Sequence, residues 1–141
     1  MDLSQGFQIE DPEVFVPWNV TMDELLEILP IRPRHVATTC GIDCMSLSGL
    51  KSTLWFHLLP VEDGRLREFS FIRSGHERES FDMIQTHLEA TFGPPTSTST
   101  GLRGYPEFKW TVGPARVSHY VVDGLQGPEH HTRITRPSLS F

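Results

Sequence analysis

Apolar positions recur along this chain with two different periods, and the switches between them mark the elements. Met22, Leu25, Leu26 and Leu29 fall at i, i+3, i+4 and i+7, which is one face of a short helix. Thr21 and Glu24 supply a capping box at its start, and Pro30 and Pro33 stop it. A second helix is predicted where Phe81, Ile84, Leu88, Thr91 and Phe92 follow the same spacing, with Met83 flanking. Ser80 is its expected N-cap, Gly93 suits the C′ position and Pro94-Pro95 forbids continuation.

Between and after the helices the period falls to two. Strands are predicted over His35–Cys40, over Met45–Leu50, and from Lys51 or Ser52 to Leu59. In the last, Leu54, Phe56 and Leu58 share one face and Trp55, His57 and Leu59 the other. Both faces are largely apolar, which predicts a central strand. Glu62-Asp63-Gly64 turns the chain, and Arg65 to Arg73 returns with Phe69 and Phe71 opposite Glu68 and Ser70. Phe108, Trp110 and Val112 alternate, Gly113-Pro114 turns, Ala115 to Val122 comes back, and Asp123-Gly124 leads to a last strand over His130–Thr135. Residues 94–104 read as a polar loop and residues 138–141 as a fraying end. Residues 1–20 read as an extended lead-in, yet Phe7, Ile9, Val14, Phe15, Val16 and Trp18 are too apolar for a free tail.

Helix, strands, helix, strands is the order of an α+β domain: two short helices with a meandering antiparallel sheet, in one domain spanning residues 1–141. Residues 21–73 and 80–136 have similar lengths, which is compatible with a degenerate α-β-β-β repeat, although the residue-level match is poor. Composition sharpens this. Eleven Gly and eleven Pro imply many short elements, and nine Phe, three Trp and two Tyr supply large buried areas for one core. No run approaches a membrane-spanning length, and the opening Met-Asp-Leu-Ser-Gln-Gly has no basic segment followed by an apolar one. With only two cysteines, a soluble protein of the reducing cytoplasm is expected.

Charge is distributed unevenly. Asp2, Glu10, Asp11, Glu13, Asp23, Glu24 and Glu27 occupy the first 31 residues, which hold no Lys or Arg. The remaining 110 residues carry all 12 basic side chains and 11 of the 18 acidic ones, so the net charge of −6 originates in the N-terminal fifth. This balance excludes general nucleic-acid binding, which needs cations to neutralise phosphates. It favours a basic protein partner.

Candidate chemistry is sparse. Cys40 and Cys44 form C-x3-C, without two further ligands in a finger spacing, and read as reduced, buried thiols beside a turn. His130 and His131, with His119 and Asp123, offer imidazoles and a carboxylate, but adjacent strand residues face opposite ways, so the pair cannot easily chelate one ion. His57 reads as a hydrogen-bonded core histidine. Asp23, Glu24 and Glu27 are explained by exposure and the helix dipole. No nucleophile elbow, P-loop or dinucleotide fingerprint occurs, so no catalytic residue, metal or cofactor is expected.

Three strings carry a family resemblance: Pro17-Trp18-Asn19 before a capped helix, Trp55-Phe56-His57 before a hairpin, and His87-Leu88-Glu89-Ala90-Thr91-Phe92-Gly93 ending the second helix. With the acidic, single-domain α+β architecture, they resemble the immunity proteins encoded beside secreted polymorphic toxins of bacteria. That resemblance implies a non-enzymatic protein that binds one cognate toxin and occludes its active site, with no nucleic-acid or membrane partner. It is one of overall texture and identifies no binding residue. From charge and aromaticity, the expected interface is Glu10, Asp11, Glu13, Phe15, Trp18, Asp23 and Glu27, with Glu62 and Asp63 at a hairpin tip, set against a basic cleft. Two other readings stand beside it: a chaperone or adaptor for a secreted effector, and a small ligand-binding or hydrolytic domain built on His119, Asp123, His130 and His131.

Overall fold

The computed structural model describes residues 1–59, 64–74, 78–125 and 127–137. The chain opens with a hairpin, β1 (Gly6–Ile9) and β2 (Val14–Pro17), and a helix, α1 (Met22–Ile28). Four strands follow: β3 (Arg34–Val36), β4 (Thr39–Ser46), β5 (Leu50–Leu59) and β6 (Arg65–Ser74). After α2 (Arg78–Phe92) come β7 (Ser97–Thr100), β8 (Pro106–Val112), β9 (Ala115–Gly124) and β10 (Gly127–Thr135). The eight strands from β3 onward form one sheet in the order β3-β4-β5-β6-β10-β9-β8-β7. Every pairing in it is antiparallel. The architecture is therefore α+β and strand-rich. Each half runs one helix and then four strands, and the last strands of the halves, β6 and β10, meet at the centre.

Register explains where the core lies. Leu54 pairs with Phe71, Phe56 with Phe69, Cys40 with Phe56 and Ile134 with Phe69, so their side chains point to one face. On the β8–β10 side that face continues through Trp110, Val117 and His119. The hairpin and both helices cover it. Phe7 lies 5.2 Å from Phe69, ring centroid to centroid, and Trp18 packs edge-on to Phe69 at 4.8 Å. From α2, Phe81 stacks on His119 at 4.0 Å, and beyond its end the Gly93 carbonyl accepts the indole N–H of Trp110 at 2.9 Å. One cluster of buried side chains runs from the hairpin to β8 and β10. The opposite face is covered by none of the described elements. It bears Thr53, Trp55, His57, Glu68, Ser118, Tyr120, His131 and Arg133.

The local signals behave as their chemistry requires. Thr21 accepts from the Glu24 N–H at 3.3 Å while Glu24 accepts from the Thr21 N–H at 3.2 Å, a complete capping box. Gly93 ends α2 at φ +81°, a left-handed position that favours glycine, with its N–H on the Glu89 carbonyl.

Four expectations need correction. The lead-in is a hairpin. Its Glu10, Asp11 and Met45 main chains exchange hydrogen bonds, while Asn19 and Val20 bond to Leu66, so it is pinned to the sheet at both ends. Ser80 lies inside α2 rather than capping it, because the helix starts at Arg78. The expected polar loop contains β7, held to β8 from Ser97↔Lys109 to Thr100↔Pro106. Thr is a good strand former, and an edge strand needs a partner on one side only. The strand expected over Met45–Leu50 is the end of β4, a turn and the start of β5. Leu47 and Ser48 take positive φ there, which side chains other than Gly rarely announce. The expectation of a central strand holds for β5, which β4 and β6 flank; on its open face Trp55 lies over Gly41, whose missing Cβ would meet the indole at 2.7 Å.

Candidate functional site

The residues expected to form an acidic interface fall into three groups. Trp18 is core: it is 5% exposed, and its indole N–H donates to the Leu3 carbonyl at 2.8 Å. It is buried because the hairpin folds back on the sheet, so the structure places it in the core and not on the exposed surface expected of it. Glu10 is engaged differently. Its carboxylate accepts the Ser48 and Gly49 N–H groups at 3.0 and 2.9 Å and so closes the β4–β5 turn. Asp11, Glu13, Phe15, Asp23 and Glu27 are exposed. Phe15 is 41% exposed because Val14 and Val16 take the inward positions of β2. Leu26 is also 41% exposed, on α1. These acidic groups share the side of the molecule that carries the hairpin, but they are not one cluster. Asp11 and Glu13 sit at the hairpin turn and α1 follows its far end, with β2 alone spanning roughly 13 Å between them. Glu62 and Asp63 lie outside the described residues.

The open sheet face holds a polar line that sequence reasoning missed. His57 Nε2 is 2.7 Å from Ser70 Oγ and 3.7 Å from Glu68 Oε2, and Glu68 Oε1 accepts from Arg133 Nε at 2.6 Å. Ser70 is buried between these neighbours. Burial lowers the His57 pKa, Glu68 opposes that, and Arg133 adds to the lowering. Serine, histidine and glutamate in a row invite a hydrolytic reading, but Glu68 approaches the same ring nitrogen as Ser70. A base that takes a proton at Nε2 needs its acid partner at Nδ1. The line ties β5, β6 and β10 together and does not form a triad. The alternation of Glu68 and Ser70 against Phe69 and Phe71 could have shown it, had His57 been placed on the same face.

The alternative constellation is divided by the sheet. His119 and His130 lie on the covered face under Phe81, whose ring is 4.0 and 5.4 Å from theirs. His119 Nδ1 is 2.8 Å from Gln85 Oε1, and its Nε2 has no hydrogen-bond partner among the described residues. Burial, then the neighbouring His130, pushes the His119 pKa down to about 3, so the ring is neutral. His131 is on the open face, 3.1 Å from Glu129, and Asp123 is paired with Arg103 at 2.7 Å. Four residues in three environments cannot act on one substrate. Cys40 and Cys44 are free thiols on the inward face of β4 rather than beside a turn, and burial pushes both up to about 11. At neutral pH they are protonated and poor nucleophiles. Among the described residues, no group of three or more His, Cys, Asp and Glu side chains could hold a metal ion, and no helix is long and apolar enough to cross a membrane.

No protein-family model matches the chain, and no curated protein does. Among solved structures, a crystal structure of the DUF4309 family protein YjgB from Bacillus subtilis covers 83% of this chain and 78% of its own, with a TM-score of 0.44 and 15% sequence identity. That likeness is too distant to carry a conclusion about activity or ancestry.

Proposed function

We propose that this chain is a cytoplasmic, non-enzymatic binding protein, the immunity partner of a secreted bacterial toxin, which it neutralises by stoichiometric occlusion. The observation that carries the reading is the hairpin side of the molecule. Phe15 stands exposed on β2, whose hairpin turn carries Asp11 and Glu13, and Leu26 stands exposed on α1 with Asp23 and Glu27, in a stretch of sequence without a single Lys or Arg. Exposed apolar side chains on elements that carry acidic groups suit an interface in which charge steers a basic partner and apolar burial supplies affinity. Trp18 backs this surface from the core and holds β2 in place. We also read the two helix-plus-four-strand halves as a degenerate repeat, one strand longer per unit than the periodicity implies.

The test uses the whole chain as bait. A captured protein that is toxic when expressed alone, and harmless when co-expressed with this chain, is the expected result. Replacing Glu13, Asp23 and Glu27 together by Lys should slow association and weaken the complex, most at low salt. A partner that is not toxic on its own would replace immunity with an adaptor role. Unchanged affinity and association rate across a salt series would remove the acidic surface from the interface.

A further inference from the structure

The open sheet face carries a groove of about 580 Å³ across β7 to β10, on the side away from the hairpin. Lys109, Thr111, Arg116, Ser118, Arg133 and Thr135 line it. Register sets their pattern: Lys109 pairs with Ser118, Ser118 with Arg133, Thr111 with Arg116 and Arg116 with Thr135. Cations and hydroxyls thus alternate across neighbouring strands of one face, and no carboxylate is among the lining residues. Arg133 spends its Nε on Glu68. Lys109 and Arg116 are exposed, and neither has a carboxylate partner among the described residues. In a chain of net charge −6, two cations without a carboxylate partner among the described residues, lining a groove with several hydroxyls, form a local field of the opposite sign.

We propose that this groove binds a carboxylate-bearing segment of a protein partner. It is independent of the acidic surface above, lies on the other face of the sheet, and is of opposite polarity. The extent of the cationic band selects the ligand. Glu107 stands two residues from Lys109 on the same face of β8, and Glu68 pairs with Thr135 at the other boundary. A long polyanion running past the groove would meet these carboxylates, whereas two or three acidic side chains on one short segment fit between them. The hydroxyls of Thr111, Ser118 and Thr135 can donate to the same carboxylate oxygens. The groove also reaches Ser97 of β7, which is exposed at every residue and ends the sheet. An extended acidic segment entering there meets a strand edge that no described strand pairs with.

The experiment follows backbone amide shifts of the full chain during titration with hexaglutamate, inorganic phosphate and a short oligothymidylate. Saturable shifts at Lys109, Thr111, Arg116, Ser118 and Thr135 are expected with hexaglutamate, weakened roughly tenfold or more by K109E/R116E and by high salt. Both side chains are exposed, so the variant should fold, and a milder K109Q/R116Q pair should give an intermediate loss. Absence of saturable shifts, or equal shifts in K109E/R116E, would overturn the proposal. Tighter binding of phosphate or oligothymidylate than of hexaglutamate at these residues would overturn it in favour of a phosphate ligand. Mass rising with protein concentration, and abolished by K109E/R116E, would overturn it in favour of a second copy docking its own acidic side. None of these outcomes touches the Glu13, Asp23 and Glu27 variant, so the two surfaces fail or stand separately.

Discussion

At the scale of single residues, burial outranks residue type. Trp18 and Glu10 read as interface because one is aromatic and the other charged, yet the first fills the core and the second closes a turn. Trp18→Ala should therefore cost about 3–5 kcal/mol of folding stability, as truncation of a large buried side chain does. Urea titration measures it, and a variant as stable as the parent would return Trp18 to the surface. His119 makes a second claim at this scale. Its folded pKa of about 3 lies below the value of 6.5 for an unperturbed imidazole, so the unfolded chain binds the extra proton first. Stability is therefore full above pH 6.5 and falls as pH drops toward 3, by on the order of 3 kcal/mol at pH 4 from this group. The groups around it are Gln85 and Phe81 of α2 and His130 of β10. His119→Phe with Gln85→Leu removes the titrating ring together with its buried partner. Between pH 6.5 and 4 the double variant should lose less stability than the parent by that amount, and parallel acid slopes would sink the assignment. In the strand His119 faces opposite to Ser118 and Tyr120, but nothing in a strand pattern says which face α2 will cover.

At the scale of elements, what the sequence made legible is what local chemistry determines. The capping box, the Gly93 stop and the inward row of Leu54, Phe56 and Leu58 follow from neighbours a few residues apart, and all are present. What stayed hidden depends on distant partners. The strands β1 and β2 have four residues each, too few for periodicity to stand out, and their turn is made of the charges that suggested an arm. β7 is Ser-Thr-Ser-Thr, with no apolar side chain, and only its pairing with β8 makes it a strand. The open-face line of His57, Glu68, Ser70 and Arg133 draws on three strands, and alternation within each strand shows it only once their pairing and faces are known. Helix α1 offers the sharpest test at this scale. It has seven residues, of which only Leu25 is buried, so its start matters more than it would in a long helix. Thr21→Ala should cost about 1 kcal/mol. It should also raise amide exchange over Met22–Ile28 more than in β4 to β6, and uniform exchange across all of these would show that packing alone holds the helix.

At the scale of the whole molecule, the question is whether two similar halves fold as one. They share the β6–β10 pairing from Glu68↔Thr135 to Ser74↔Glu129, and Ile134 packs in the same cluster as Phe69, Phe7 and Trp18. Leu88 of α2 and Trp110 of β8 belong to that cluster too. A core without a seam predicts one cooperative transition, since opening either half exposes the apolar face of the other. The indoles report independently: Trp18 sits under the hairpin in the first half and Trp110 under α2 in the second. Single-tryptophan variants that retain one or the other should unfold in urea with the same midpoint as the far-ultraviolet circular dichroism measured on the same variant. Ile134→Ala, at the junction, should cost about 2–5 kcal/mol and lower both midpoints together. Two separated transitions would mean that each half holds its own core. The pairing of β6 with β10 would then be an interface between two units, and a partner that gripped only the hairpin side would stabilise one of them alone.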